Sequence, residues 1–161
     1  MANQIQKLVN ATQWLPANLR AKAISKIFGS VVPLVGTAGL IYEELTPERV
    51  VVSIRNRRKV QNHIKGVHAA GMALLAETAT GFCVGMNVPD DKLPLIKTLK
   101  VSYLKRAQGD MKAVAQLRPE QIQQILTQDK GEVTVPVSIT DESGQEPIQC
   151  EMVWAWVPKK R

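Results

Sequence analysis

Residues 68–86 do most to decide what this chain can fold into. They are apolar on nearly every helical face, rich in Ala and Gly, and carry a single charge, Glu77. A helix that is apolar all round belongs inside a protein rather than on its surface, and small side chains let a sheet approach it closely. Glu77, Thr78 and Thr80 divide the segment into uncharged runs too short for a bilayer. It therefore reads as one buried helix that the remaining chain must enclose, with no membrane partner.

The rest of the pattern supplies that enclosure. Ile5, Leu8, Val9 and Thr12 fall at helical spacing behind an Asn3 cap, and a second helix is predicted over residues 16–28 with Pro16 in its first turn. After Gly29 the pattern changes to strands, predicted at residues 40–45, 50–56, 96–106, 111–117, 132–141 and 148–157, with a short helix at 119–127. In the fifth strand Val133, Val135, Val137 and Ile139 alternate with polar positions, and Pro136 argues for an edge or a bulge. Two strands, one buried helix and four further strands joined by short turns favour an antiparallel sheet over a single helix, an α+β fold. At 161 residues the default is one compact domain.

Composition narrows the function classes. The formal charge of +7 favours anionic partners without choosing among them. The start Met1-Ala2-Asn3-Gln4 lacks a basic region before an apolar core, so no signal peptide is expected, and Cys83 and Cys150 make no disulfide framework. A reducing cytoplasm is the expected location. His63 and His68, without a cysteine pair nearby, do not make a metal site, and no cofactor is expected. There is no Gly-x-Ser-x-Gly elbow and no Gly-rich nucleotide or phosphate loop.

Chemistry concentrates around Asn62-His63-Ile64-Lys65-Gly66-Val67-His68 and the helix that follows. Between residues 49 and 89 Glu77 is the sole acid, among Arg49, Arg55, Arg57, Arg58, Lys59 and Lys65. A carboxylate in apolar surroundings carries a desolvation cost and usually a reason for being there. His68 and Glu77 are separated by about 900° of helical rotation and about 13 Å of rise, so they project from opposite sides. Either only one is catalytic or a second subunit completes the site, and the second is preferred. The unpaired N–H groups around His68, Ala69 and Ala70 suit a carbonyl oxygen that becomes an oxyanion.

Asn62, His68 and Glu77 resemble, in type and spacing, the Asn…His…Asp/Glu pattern of hot-dog-fold acyl-CoA thioesterases of the phenylacetic-acid-pathway type. His68-Ala69-Ala70-Gly71…Leu75-Ala76-Glu77 is similar to their His-Gly-Gly…Leu-Ala-Asp/Glu helix start, and Val101-Ser102-Tyr103-Leu104-Lys105…Gly109-Asp110 to the strand and turn beyond it. The chain most resembles a bacterial branch of unknown function. The resemblance implies a sheet of five to six strands wrapped on one central helix over residues 36–161, preceded by a helical extension over 1–35. It implies a homodimer or a dimer of dimers with sites at the subunit interface. Glu77 would be general base or nucleophile, Asn62 would position water or thioester, and the N–H groups of Ala69 and Ala70 would polarise the carbonyl. The family's Gly-Gly is Ala69-Ala70 here, which narrows the approach to those donors.

Plainer readings stand beside these. Glu77 is also compatible with a structural ion pair to a Lys or Arg, and His68 with shaping the helix start rather than titrating. The run Arg55, Arg57, Arg58, Lys59 reads as a solvated strand end or as a holder of coenzyme A phosphates, with Lys65, Lys100, Lys105 and Arg106 as further candidates. Trp154 and Trp156 share a strand face with Met152 and read as core or interface. Hydrolysis of an acyl-CoA thioester is thus the expected activity, and a non-catalytic acyl-ligand module with the same fold is the alternative. No recognisable motif supports specific nucleic-acid binding.

Overall fold

The computed structural model describes residues 2–160. Met1 of the leader reading and the C-terminal Arg161 lie outside the described residues. Three helices come first: α1 (Gln4–Asn10), α2 (Ala17–Val31) and α3 (Pro33–Ala38). Asn3 caps α1 as expected, its Oδ1 accepting the Gln6 N–H at 2.9 Å. Pro16 stands at the N-cap of α2 rather than inside its first turn.

The helical region runs on past Gly29, where strands were expected. Val31, Val32 and Val35 are strand formers by local preference, but packing overrides that preference. Gly29 and Gly36 bring α2 and α3 together backbone to backbone: a Cβ on Gly36 would lie 2.4 Å from the Gly29 carbonyl oxygen. Ile24, Phe28 and Val35 are buried in the same core as the sheet. Gly39, at φ +72°, ends α3 in the left-handed conformation that favours glycine.

Next come β1 (Ile41–Leu45) and β2 (Arg49–Ile54), then a 3-10 turn over Arg58–Val60 and the long helix α4 (Ala69–Gly85). His68 caps α4 at one end and Met86 at the other, within a residue of the expected limits. The chain continues through β3 (Lys92–Tyr103), β4 (Met111–Gln116), α5 (Pro119–Thr127), β5 (Gly131–Thr134), β6 (Val137–Asp141) and β7 (Ile148–Pro158). β3 begins and ends earlier than the expected 96–106, because Pro94 and a register shift between Ile96 and Thr98 break the alternation that would reveal it.

The strands form two antiparallel sheets, β1-β2-β4-β6 and β3-β7-β5. The single strand expected over 132–141 is divided between them, which raises the count to seven among the described residues. The change of partner falls at Val135–Pro136. Val135 N–H donates to the Met152 carbonyl, while the Pro136 carbonyl accepts from Gln116 N–H, both at 3.0 Å. Proline has no N–H to contribute to a ladder, so it occupies the point where one ladder ends and the next begins.

The two sheets are thereby one curved layer around α4, the hot-dog arrangement. Val50, Val52 and Ile54 of β2, Ala113 and Ala115 of β4, and Met152 and Trp156 of β7 are buried against Leu75, Ala76, Ala79 and Cys83. Alanines on β4 face small residues on the helix, which is the close approach the helix composition requires.

Candidate functional site

The loop before α4 is shaped by Asn62. Its backbone N–H donates to the Gly66 carbonyl at 2.9 Å, and its Oδ1 accepts the N–H groups of Ile64 and Gly66, each at 3.1 Å. Lys65 adopts φ +61° within this turn. The Asn62 amide nitrogen has no protein partner among the described residues. His68 N–H donates to the Val60 carbonyl at 2.8 Å, which fixes the chain as it enters the helix.

His68 and the two alanines after it are exposed. The His68 Nδ1 accepts the Ala70 N–H at 3.0 Å, so this donor is already engaged. The N–H groups of Ala69 and Gly71 find no partner among the described residues. Of the two donors expected from sequence, Ala69 is free and Ala70 is capped, and Gly71 is a free donor that the sequence reading passed over. Tyr103, at the end of β3, donates its hydroxyl to the Ala69 carbonyl at 2.8 Å and ties the edge strand to the helix start.

Glu77 lies elsewhere. It is half-buried in an apolar cleft of about 210 Å³ formed by Thr78, Gly81, Phe82 and Gly85 of α4 with Ile5, Val32, Val35, Pro94 and Trp154. No ion pair to Glu77 exists among the described residues, so the structural ion-pair reading has no partner here. Burial raises its carboxyl above the ordinary carboxylate value. Tyr42 is raised too, by its own burial and then by the Glu77 charge. The buried Tyr42 hydroxyl has no hydrogen-bond partner among the described residues, and the buried Thr78 hydroxyl faces the Glu77 carboxyl and opposes the effect of its burial. The sequence reading missed both. Tyr42 passed as a strand residue and Thr78 as an interruption in an apolar run, and no local pattern marks what a hydroxyl will face.

One chain therefore gathers Asn62, His68, Ala69 and Ala70 at the start of α4 and leaves Glu77 two and a half turns away, as helix geometry requires.

The basic residues divide as well. Arg57 and Lys59 line a groove beneath α2 with Lys22 and Arg55, whereas Lys65 and Arg106 line a pocket beside the Asn62 loop, with Arg106 Nη2 donating to the Ile64 carbonyl at 3.2 Å. Lys105 donates to the Gln145 Oε1 at 3.0 Å, and Arg58 and Lys100 are exposed. None of these residues has an acidic partner among the described residues.

Burial pushes the Cys83 thiol up to about 12 and Cys150 up to about 11, so neither is a thiolate nucleophile at neutral pH. Among the described residues no three His, Cys, Asp or Glu side chains are gathered to hold a metal ion, and no helix is long and apolar enough to cross a membrane.

The family model described as a domain of unknown function (DUF4442) matches residues 20–157. Among solved structures, the chain is similar to a Pseudomonas aeruginosa protein of unknown function described as a probable thioesterase, at 23% identity and TM-score 0.77, covering 90% of this chain and 97% of that one. It is similar to a Staphylococcus aureus thioesterase at 18% identity and TM-score 0.65, covering 78% and 99%. A Haemophilus influenzae thioesterase matches at 12% identity and TM-score 0.64, covering 78% and 82%. These likenesses establish the hot-dog fold. No curated protein matches the chain.

Proposed function

The chain belongs to the DUF4442 family of domains of unknown function, and from that premise we propose that it hydrolyses an acyl thioester of coenzyme A. The observation that carries this reading is Glu77, a half-buried carboxylate in an apolar cleft, raised by burial and without an ion pair among the described residues. A base raised toward neutral pH is well matched to proton abstraction from water.

In the proposed reaction Glu77 takes a proton from water as the oxygen attacks the thioester carbon. The carbonyl oxygen gains negative charge and is held by the Ala69 N–H, joined by Ala70 when the His68 ring releases it. The C–S bond then breaks, the acid leaves, and the proton held by Glu77 passes to the coenzyme A thiolate. Direct attack by Glu77 followed by hydrolysis of the anhydride gives the same products. Asn62 orients the water or thioester through its free amide, and Lys65 and Arg106 meet phosphate at the loop. Arg57, Arg58, Lys59 and Lys105 are candidates for the remaining phosphates.

A second copy of the chain supplies the missing half of each site. Support comes from β3, which ends its sheet with one edge unpaired. Ile96, Leu99 and Tyr103 pair with Trp154, Met152 and Ile148 and so share their helix-facing side, yet Leu99 is 47% exposed and Tyr103 49%. Inward-facing apolar residues left open at a free edge suit coverage by a partner strand.

Thiol release is followed over a panel of acyl-CoAs with the wild-type chain and Glu77→Gln. The expected loss is about 100-fold or more, and equal rates refute the role of Glu77. The alternative reading, a non-catalytic acyl-ligand module, is favoured by the His68–Ala70 hydrogen bond and the added methyl groups at the helix start. Saturable binding without turnover would establish it.

A further inference from the structure

Part of the chain's positive charge is gathered ahead of the strands. Lys7, Arg20, Lys22 and Lys26 precede the first acid, Glu43, and none of the four forms an ion pair among the described residues. The first acids to follow, Glu43 and Glu44 of β1, are already paired with Lys112 and Arg49. α2 carries three of the four cations and no acid. It is fixed in place by buried Ile24 and Phe28, the Phe28 ring packing on Tyr42 of β1 with centroids 5.4 Å apart. The Ser25 Oγ adds a tie by accepting the Tyr42 N–H at 2.9 Å. The helix is therefore a firm platform, and residue spacing sets what its outer side presents.

Leu19, Ala23, Ile27 and Val31 recur every four residues and form one ridge about 18 Å long on α2. Lys22 and Lys26, also four apart, occupy the neighbouring ridge, and both are exposed. The apolar ridge is open as well. Leu19 and Ile27 are exposed, Val31 is 70% exposed, and Leu34, three residues further along the chain, is 62% exposed. Trp14, before α2, is 80% exposed, whereas the other two tryptophans, Trp154 and Trp156, are buried. An exposed apolar stripe beside lysines, with a tryptophan near its end, is the composition of helices that lie in the interface of a bilayer. The core of a protein–protein contact is instead depleted of lysine, and a second copy seated here would bring like charges together.

We propose that the outer side of α2, together with Trp14 and Leu34, is a docking surface for an anionic phospholipid bilayer. The contact is peripheral. The apolar ridge enters the headgroup layer while Lys22 and Lys26 meet lipid phosphate and carboxylate groups. No helix among the described residues is long and apolar enough to cross the bilayer, and the exclusion of a span concerns crossing, not contact at the surface. Each cation near an anionic surface strengthens binding about 5-fold, so Lys22 and Lys26 together contribute about 25-fold. That attraction decays over a Debye length of about 10 Å at 0.1 M salt, which makes binding salt-dependent. The proposal does not depend on the thioesterase reading.

Vesicle sedimentation and tryptophan emission test it on the full chain. Vesicles of phosphatidylcholine alone, or with about one-third phosphatidylserine, are compared at about 0.1 M and about 0.5 M salt. The chain should sediment with the serine-containing vesicles at the lower salt, less at the higher salt, and not with phosphatidylcholine alone. Emission should shift to the blue as Trp14 leaves water, and Trp14→Phe should lose that shift while still sedimenting. The double change Lys22→Gln and Lys26→Gln should weaken binding about 25-fold, and Val31→Ser with Leu34→Ser should weaken it at unchanged charge. No sedimentation with either vesicle, equal sedimentation with both, or unchanged affinity in the folded lysine variant overturns the proposal. So does a wild-type chain that ignores vesicles but self-associates through Val31 and Leu34, which would give the surface to a second copy. Retention by polyglutamate without vesicle binding would give it to an acidic protein and likewise overturns the proposal. The wild-type series decides alone if a variant does not fold.

Discussion

Asn3 and Gly85 are joined by a buried hydrogen bond, the Asn3 amide nitrogen donating to the Gly85 carbonyl at 2.8 Å across 82 positions of sequence. The same side chain caps α1 through its oxygen and satisfies the Val88 carbonyl through its second proton. Asn3→Ala removes a cap and strands two carbonyls near the end of α4. The expected cost is about 2–3 kcal/mol, or about 5–10 °C in the thermal midpoint for a domain of this size. Thermal unfolding by circular dichroism checks it, with the exposed Asn10→Ala as a control expected to stay within about 0.5 kcal/mol.

Gly81 is where the Trp154 ring meets α4. A Cβ there would lie 2.6 Å from the indole, and Trp154 is anchored by its bond to Thr80. Gly81→Ala should therefore destabilise by about 1–3 kcal/mol through overpacking, even though alanine is the better helix former. A denaturant midpoint equal to or above wild type would show that the ring moves freely.

The raised carboxyl of Glu77 has opposite consequences for stability and for rate. A folded-state value above the unfolded one means that the stabilising proton is held below the unfolded value and lost as pH rises through the folded value. Glu77→Gln, which cannot ionise, should unfold at a higher temperature than wild type at pH 8, with the difference vanishing toward pH 4. If Glu77 is the base, wild-type kcat/KM should rise with pH through a midpoint above the ordinary carboxylate range. Parallel melting curves across pH would count against the burial effect, and an acid limb at the ordinary value against Glu77 as the group seen in the rate.

Asp141 works in the other direction. Burial alone would raise it, but Oδ1 accepts from the Ser143 hydroxyl at 2.6 Å and its N–H at 2.9 Å, and Oδ2 accepts from Gln108 N–H at 2.9 Å, leaving its carboxyl below the ordinary value. Its contribution is present above the unfolded value and lost as pH falls through the folded one. Asp141→Ala should cost about 2–3 kcal/mol at pH 7 and progressively less in acid, as read from urea midpoints over pH 2–7. A penalty independent of pH would assign its effect to packing instead.

The central helix was legible in the sequence because apolar residues on every face leave one environment open to it, and Asn3, Pro119 and His68 announced helix starts by local chemistry. The strands were legible by alternation wherever one face is buried and failed where it is not. β3 is an edge strand whose apolar residues lie on both faces and whose register shifts, so its start was misplaced. α3 was missed because the Gly29–Gly36 contact that holds it is a meeting of two segments, which local preference does not report.

For the candidate site the division follows the same line. The spacing of Asn62, His68 and Glu77 by itself determined that the carboxylate and the helix start lie on opposite sides of α4, because helical rotation per residue is a local property of the backbone. Only the tertiary structure decided that the Ala70 N–H is already taken by His68 and that Glu77 has no basic partner among the described residues. It also decided that Ile5 of α1 lines the cleft. Each of these depends on which groups folding brings within hydrogen-bonding distance and which it withdraws from water, and neither is encoded in the order of neighbouring residues.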